Sequence, residues 1–183
     1  MRQVRTRISQ MLAAAVLSAV FGLGNAQSAE QPAGQEVERN GLKIMAVYLQ
    51  PVEMEPAMPD QNSAKTDIHL EADIHALRDN KNGFPVDAWV PYLKVSYTLT
   101  KKGSAWKRQG ALHPMVASDG PHYGANVALD GPGAYELVFR IEPPSAQGFL
   151  RHTDKETGVD VWWAPFEYRG AFNFVGTGKK GKY

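Results

Sequence analysis

The sequence predicts an all-β sandwich in a single domain, and two observations predict it. Apolar and polar residues alternate with period two, most cleanly in DIHLEADIHAL, residues 67–77. Short β-branched and aromatic runs are separated by Gly, Pro, Asn and Asp, and no helical period is sustained after the first 26 residues.

Taken in order, residues 1–26 read as a secretory signal. Arg2, Arg5 and Arg7 precede an apolar run from Met11 to Leu23, and small residues follow, ending at Ala26. The run is short for a membrane span. Cleavage is expected after Ala26, with Ala29 as the neighbouring alternative, and the address is the bacterial periplasm. Residues 27–40 are polar and aperiodic and read as a flexible lead-in. GLKIMAVYLQ (41–50) is the first strand, and the Pro- and Met-bearing PVEMEPAMPDQNSAK that follows is a loop. DIHLEADIHAL is a strand with an oily side, Ile68 to Ala76 by twos, and an ionisable side: Asp67, His69, Glu71, Asp73 and His75. PYLKVSYTLT (91–100) alternates again. WKRQGALHPMVA, HYGANVAL and AYELVFRIEPP are further strands, parted by SDGP and DGPG. VDVWW (159–163) and FEYRGAFNFVG (166–176) complete the domain, 41–176, and residues 177–183 form a loose tail.

Composition narrows the function. The chain carries 20 Lys and Arg against 19 Asp and Glu. Removing residues 1–26 takes away three Arg and no acid, leaving 17 against 19 and a net charge of −2. No basic field for nucleic acid remains. Cys is absent, which removes disulfides, thiolate metal sites, Cys nucleophiles and a lipid-anchoring Cys. The 157 residues left by cleavage are enough for a core that needs no covalent staples. No Ser-His-Asp signature, phosphate-cradling Gly loop, GxSxG elbow or HExxH is present.

The chemistry sits on a few side chains. His69 and Glu71 lie two apart on one strand face, with Cα atoms roughly 6.5–7 Å apart, close enough to converge on one ion. His75 lies roughly 20 Å from His69 along an extended strand and does not join the same site. In MVASDGPHYGANVAL (115–129) a turn joins Met115 to His122, so that both could face each other at adjoining strand ends. Met is more often core filler, yet imidazole, thioether and carboxylate together suit a transition metal. Copper fits the sulfur, iron or manganese the carboxylate, and imidazole alone does not separate zinc, copper and iron. His152, in RHTDKETGVDVWWAPF, is by itself an ordinary loop histidine, and the double Trp after it is core or interface. Met54 and Met58 read either as a hydrophobic plug over one end of the sandwich or as a thioether patch for Cu(I).

HLEADIHA, PMVASDGPHYGANV and RHTDKETGVDVWW resemble the periplasmic high-affinity iron-uptake proteins, companions of inner-membrane iron permeases in Gram-negative bacteria, with which a spirochaete lipoprotein antigen belongs. The resemblance runs from Gly41 to Gly176. It implies an immunoglobulin-like β-sandwich, a homodimer, Cu(II) binding and delivery of iron to the permease. It also implies a metal site of His69, Glu71, Met115, His122 and His152, the last from its own subunit or a second copy. Met54 and Met58 correspond to a Met-bearing segment of the family. Asp73 and His75 are left as a second, weaker site, as supports of the ligands, or as dimer contacts.

The function expected is therefore a periplasmic carrier binding Cu(II)/Cu(I) and Fe(II)/Fe(III), not an enzyme in the ordinary sense. Glu71, swinging on and off the metal, would let one site accept both ions, and the acidic loop at Glu53 and Glu55 is the expected permease contact. The alternatives are a cuproenzyme (a ferrous oxidase or a superoxide-handling protein), a copper-homeostasis carrier, and an adhesive sandwich without a site.

Overall fold

The computed structural model describes residues 30–176. The expected signal, 1–26, and the loose tail, 177–183, lie outside the described residues. Among those described are nine strands: β1 (Gln31–Pro32), β2 (Val37–Arg39), β3 (Leu42–Leu49), β4 (Ile68–Ala76), β5 (Lys94–Lys101), β6 (Lys107–Ala117), β7 (Gly120–Val127), β8 (Gly133–Glu142) and β9 (Phe166–Phe174). The only helical pieces among them are short 3₁₀ turns, and no helix is long and apolar enough to cross a membrane.

All pairings are antiparallel, as hairpins and Greek-key connections require. One sheet runs β3-β4-β7 and continues into the second half of β6. The other runs from the first half of β6 through β5 and β8 to β9. β6 changes sheets in mid-strand: Leu112 is the last residue paired with β5, opposite Val95, and His113 the first paired with β7, opposite Gly124. Seven strands, β3 to β9, in two facing sheets that share β6 make the immunoglobulin-like arrangement. Tyr135, near the start of β8, adds its corner signature. The hydroxyl donates to the Gly131 carbonyl at 2.7 Å and accepts from the Asp130 amide at 3.0 Å.

The alternation explains the core. Ile68, Leu70, Ala72 and Ile74 of β4 are fully buried. They share a core with Ile44 and Tyr48 of β3, Tyr97 and Leu99 of β5, and Tyr135, Leu137, Phe139 and Ile141 of β8. Each buried Leu, Ile or Phe among them contributes roughly 1.5–3 kcal/mol on burial.

Two expectations are corrected. The stretch read as a flexible lead-in pairs with β3 through β1 and β2. Ala33 is fully buried, and Gly170 of β9 lets it approach so closely that a Cβ there would lie 2.3 Å from the Ala33 carbonyl oxygen. Polar composition hid this because β3 supplies the partners. VDVWW is not a strand. Asp160 donates its amide to the Lys81 carbonyl and accepts on its own carbonyl from Asn82. Trp162 packs on Phe84 and Phe149. High β-propensity here meets tilted ring packing instead of a free strand edge.

Candidate metal centre

Three adjacent strands place the candidate ligands on the outward face of the first sheet. Register sets His69 opposite Asn126, Glu71 opposite Gly124, and Met115 opposite His122. Met115 and His122 therefore form a cross-strand pair, as the turn between them suggested. The face is nonetheless covered. His69, Glu71 and His122 are all buried at the base of a cleft of about 800 Å³, under the loop carrying Met54 and Met58.

The geometry converges. Glu71 Oε1 lies 3.5 Å from His69 Nε2 and 3.4 Å from His122 Nε2. The three ligand atoms fall within 4.8 Å of one another. Both Nε2 atoms are buried and lack a hydrogen-bond partner. Gly124 makes the space: a Cβ there would sit 2.5 Å from His69 Nε2 and 3.2 Å from Met115 Sδ. The hollow is thus shared by an imidazole nitrogen and a thioether.

Electrostatics follow from burial. Desolvation lowers the pKa of His69 to about 4, with His122 adding to the depression against the support of Asn126. Desolvation also lowers His122, opposed by the Gly120 backbone and Asp119. Glu71 is raised to about 8, first by burial and then by Asp73, Glu30 and Asp119. Without metal near neutral pH both imidazoles are uncharged and Glu71 is mostly a neutral acid, so these close contacts are not ion pairs. A cation would reverse this, since two neutral imidazole nitrogens and a carboxylate form an acceptor set for a positive ion. Two orphaned buried nitrogens and a glycine hollow fit a metal ion without rearrangement of the strands.

The other sequence candidates fall into three groups. Met54 and Met58 are half-buried and line the cleft beside Glu53 and Glu55. Asp73 belongs to an acidic group with Glu30 and Asp119, where burial and those carboxylates raise its pKa to about 6. His75 stands apart, bridged to Trp89 and influenced by Lys43 and Asp87. His152 does not join the cluster within one chain: its side chain is 74% exposed. It is nevertheless held. Thr157 Oγ1 donates to Asp154 Oδ2 at 2.7 Å, so the hydroxyl accepts from His152 Nδ1–H, also at 2.7 Å. Nε2 is left as the free nitrogen.

Asn126, Gly124, Glu30, Asp119 and His113 belong to or border the site and were not singled out from sequence. Reading HYGANV by twos gives His122, Gly124 and Asn126 on one face, a signal that was available. Glu30 adjoins β1, which pairs with β3, and Asp119 lies in the β6–β7 turn.

Comparison with known proteins gives the family and the fold. The model of a family described as "Fe2+ transport protein" matches residues 27–176. The chain belongs to this family. A UPF0423 protein of Brucella abortus (strain 2308) is 52% identical over 161 residues, 86% of this chain and 88% of the relative. The 34 kDa membrane antigen of Treponema pallidum is 42% identical over 153 residues, covering 77% and 75%. Among solved structures, a copper-bound Glu-to-Gln variant of FetP from uropathogenic Escherichia coli strain F11 superposes with a TM-score of 0.79. It is 52% identical, with 81% of this chain and 99% of that one covered. The copper-reconstituted P19 protein from Campylobacter jejuni gives 0.80 at 51% identity, covering 82% and 99%.

Proposed function

We propose that this chain is a periplasmic metal-binding protein that takes copper and iron at the His69, Glu71, Met115 and His122 cluster and supports iron delivery to an inner-membrane permease. The observation that carries the reading is the pair of buried, partnerless Nε2 atoms on either side of one Glu71 oxygen. Family membership supports iron as cargo, and copper-bound relatives support copper. The domain is 41–176 with the paired lead-in, and residues 1–26 export it.

Each ligand has a distinct part. His69 and His122 present neutral imidazole, Met115 adds a thioether that favours Cu(I), and Glu71 adds a hard oxygen that favours Cu(II) and iron. Copper held here would supply one-electron redox chemistry. Glu71, reaching both nitrogens from one carboxyl, is the ligand able to move on or off as the ion changes.

We place His152 in the site of a second copy. Leu150 and Val161 beside its loop are 88% and 73% exposed, and Val116 at the cleft rim is 78% exposed. Apolar side chains around both an exposed histidine and a cleft suit a homodimer that covers them. The acidic lip at Glu53 and Glu55 is the proposed permease contact. Calorimetric titration of Cu(II) and Fe(II) into the protein and its Glu71→Gln variant tests the reading. A changed metal preference with an unchanged fold is expected; identical binding of both metals would remove the role of Glu71. Steady-state ferrous oxidation under air separates the carrier from a cuproenzyme, with no turnover expected of a carrier.

A further inference from the structure

Asn126 is 2% exposed, and its side-chain amide uses every hydrogen-bonding group it has. Its Nδ2 donates to the Val52 carbonyl at 2.8 Å and to the Gln61 carbonyl at 2.7 Å. Its backbone amide donates to Gln61 Oε1 at 2.6 Å. Its Oδ1 accepts from the Val52 amide at 3.2 Å and stands 2.9 Å from His69 Nδ1. Two carbonyls on one side and an amide N–H on the other fix which end of the side-chain amide is oxygen. An oxygen opposite His69 Nδ1 requires a proton on Nδ1. The Nε2 lone pair is then left facing Glu71 and the Gly124 hollow, in agreement with its lack of any other partner.

Val52 and Gln61 bracket the loop that carries Met54 and Met58 over the cleft. The same side chain therefore orients the imidazole and fastens the loop. We infer that Asn126 is a positioning residue that locks His69 with Nδ1–H and Nε2 free, and latches the methionine loop over the metal cluster. The first half rests on the proposed role of His69 as a ligand; the second does not. Histidine ligands are commonly oriented by a hydrogen bond to the other ring nitrogen, and losing that bond costs roughly 10–100-fold in metal affinity.

Two substitutions separate the halves. Asn126→Leu removes both the acceptor for Nδ1–H and the donors to the loop. Asn126→Asp keeps an acceptor for Nδ1–H and loses the donors to Val52 and Gln61. The readouts are ¹⁵N NMR of the His69 ring in metal-free protein, hydrogen exchange over residues 51–62, and Cu(II) titration. The parent is expected to show Nδ1–H and a protected loop. Asn126→Leu should show a mixed tautomer, faster loop exchange and Cu(II) affinity lower by roughly 10–100-fold. Asn126→Asp should keep the Nδ1 proton, lose loop protection and weaken copper less. A parent His69 protonated on Nε2 alone, or Asn126→Leu with unchanged tautomer and loop exchange, would overturn the inference. If the parent binds no copper, the metal reading fails, while the NMR and exchange results still decide the role of Asn126.

Discussion

Glu71 shows how far one side chain's surroundings can carry it. Its pKa is held near 8 by burial and neighbouring carboxylates, against about 4.3 in an unfolded chain. As pH rises from about 4.5 to about 8 the unfolded chain ionises this group and the folded, metal-free chain resists. Stability is therefore complete below the unfolded value and falls as pH rises through the folded one. Asp73 acts in the same direction over the lower part of that range. His69, lowered to about 4, acts oppositely, costing stability as pH falls from about 6.5. Thermal melts of metal-free Glu71→Gln should show less loss from pH 5 to 8 than the parent, by an amount on the order of 2–4 kcal/mol. An unchanged slope would mean that Glu71 is ordinary. Gly124 makes an equally local claim. Gly124→Ala places a methyl 2.5 Å from His69 Nε2, and copper affinity should drop at least roughly tenfold while circular dichroism stays native. Retained affinity would show that the hollow is not where the ion sits.

At the scale of elements, β6 joins the fold to the site. Its first half completes one sheet and its second half delivers Met115 opposite His122 in the other. The alternation of DIHLEADIHAL made both faces of β4 legible, because the strand is buried on its apolar side whatever the topology. The Met115–His122 pairing was legible because a short turn leaves little choice of register. Residues 31–39 were not, since their pairing depends on the edge of β3 rather than on their own polar composition. VDVWW misled for the opposite reason: its propensity suits a strand, but Phe84 and Phe149 claim its rings. His152 enters only through the resemblance, and one chain leaves it in solvent. Tyr135→Phe removes both contacts to the β7–β8 turn and should cost about 1–3 kcal/mol in urea unfolding. A midpoint equal to the parent's would mean the corner is ornamental to stability.

At the scale of the whole molecule, the sandwich supplies a rigid wall and the loops supply access. Exposed Leu150, Val161 and Val116 flank the two halves of the proposed shared site, so assembly and metal geometry should be coupled. Leu150→Glu with Val161→Glu should yield monomers in sedimentation and a Cu(II) spectrum like that of His152→Ala. A dimeric double variant, or one with the parent's spectrum, would detach His152 from the metal.

Whether the cluster of His69, Glu71, Met115 and His122 holds the metal is decided by calorimetric titration of Cu(II) into the protein beginning at Gln27, alongside a Met115→Ala, His122→Ala variant. Tight binding is expected in the parent and its loss in the variant, with circular dichroism unchanged. Equal binding in both, or none in the parent, would contradict it.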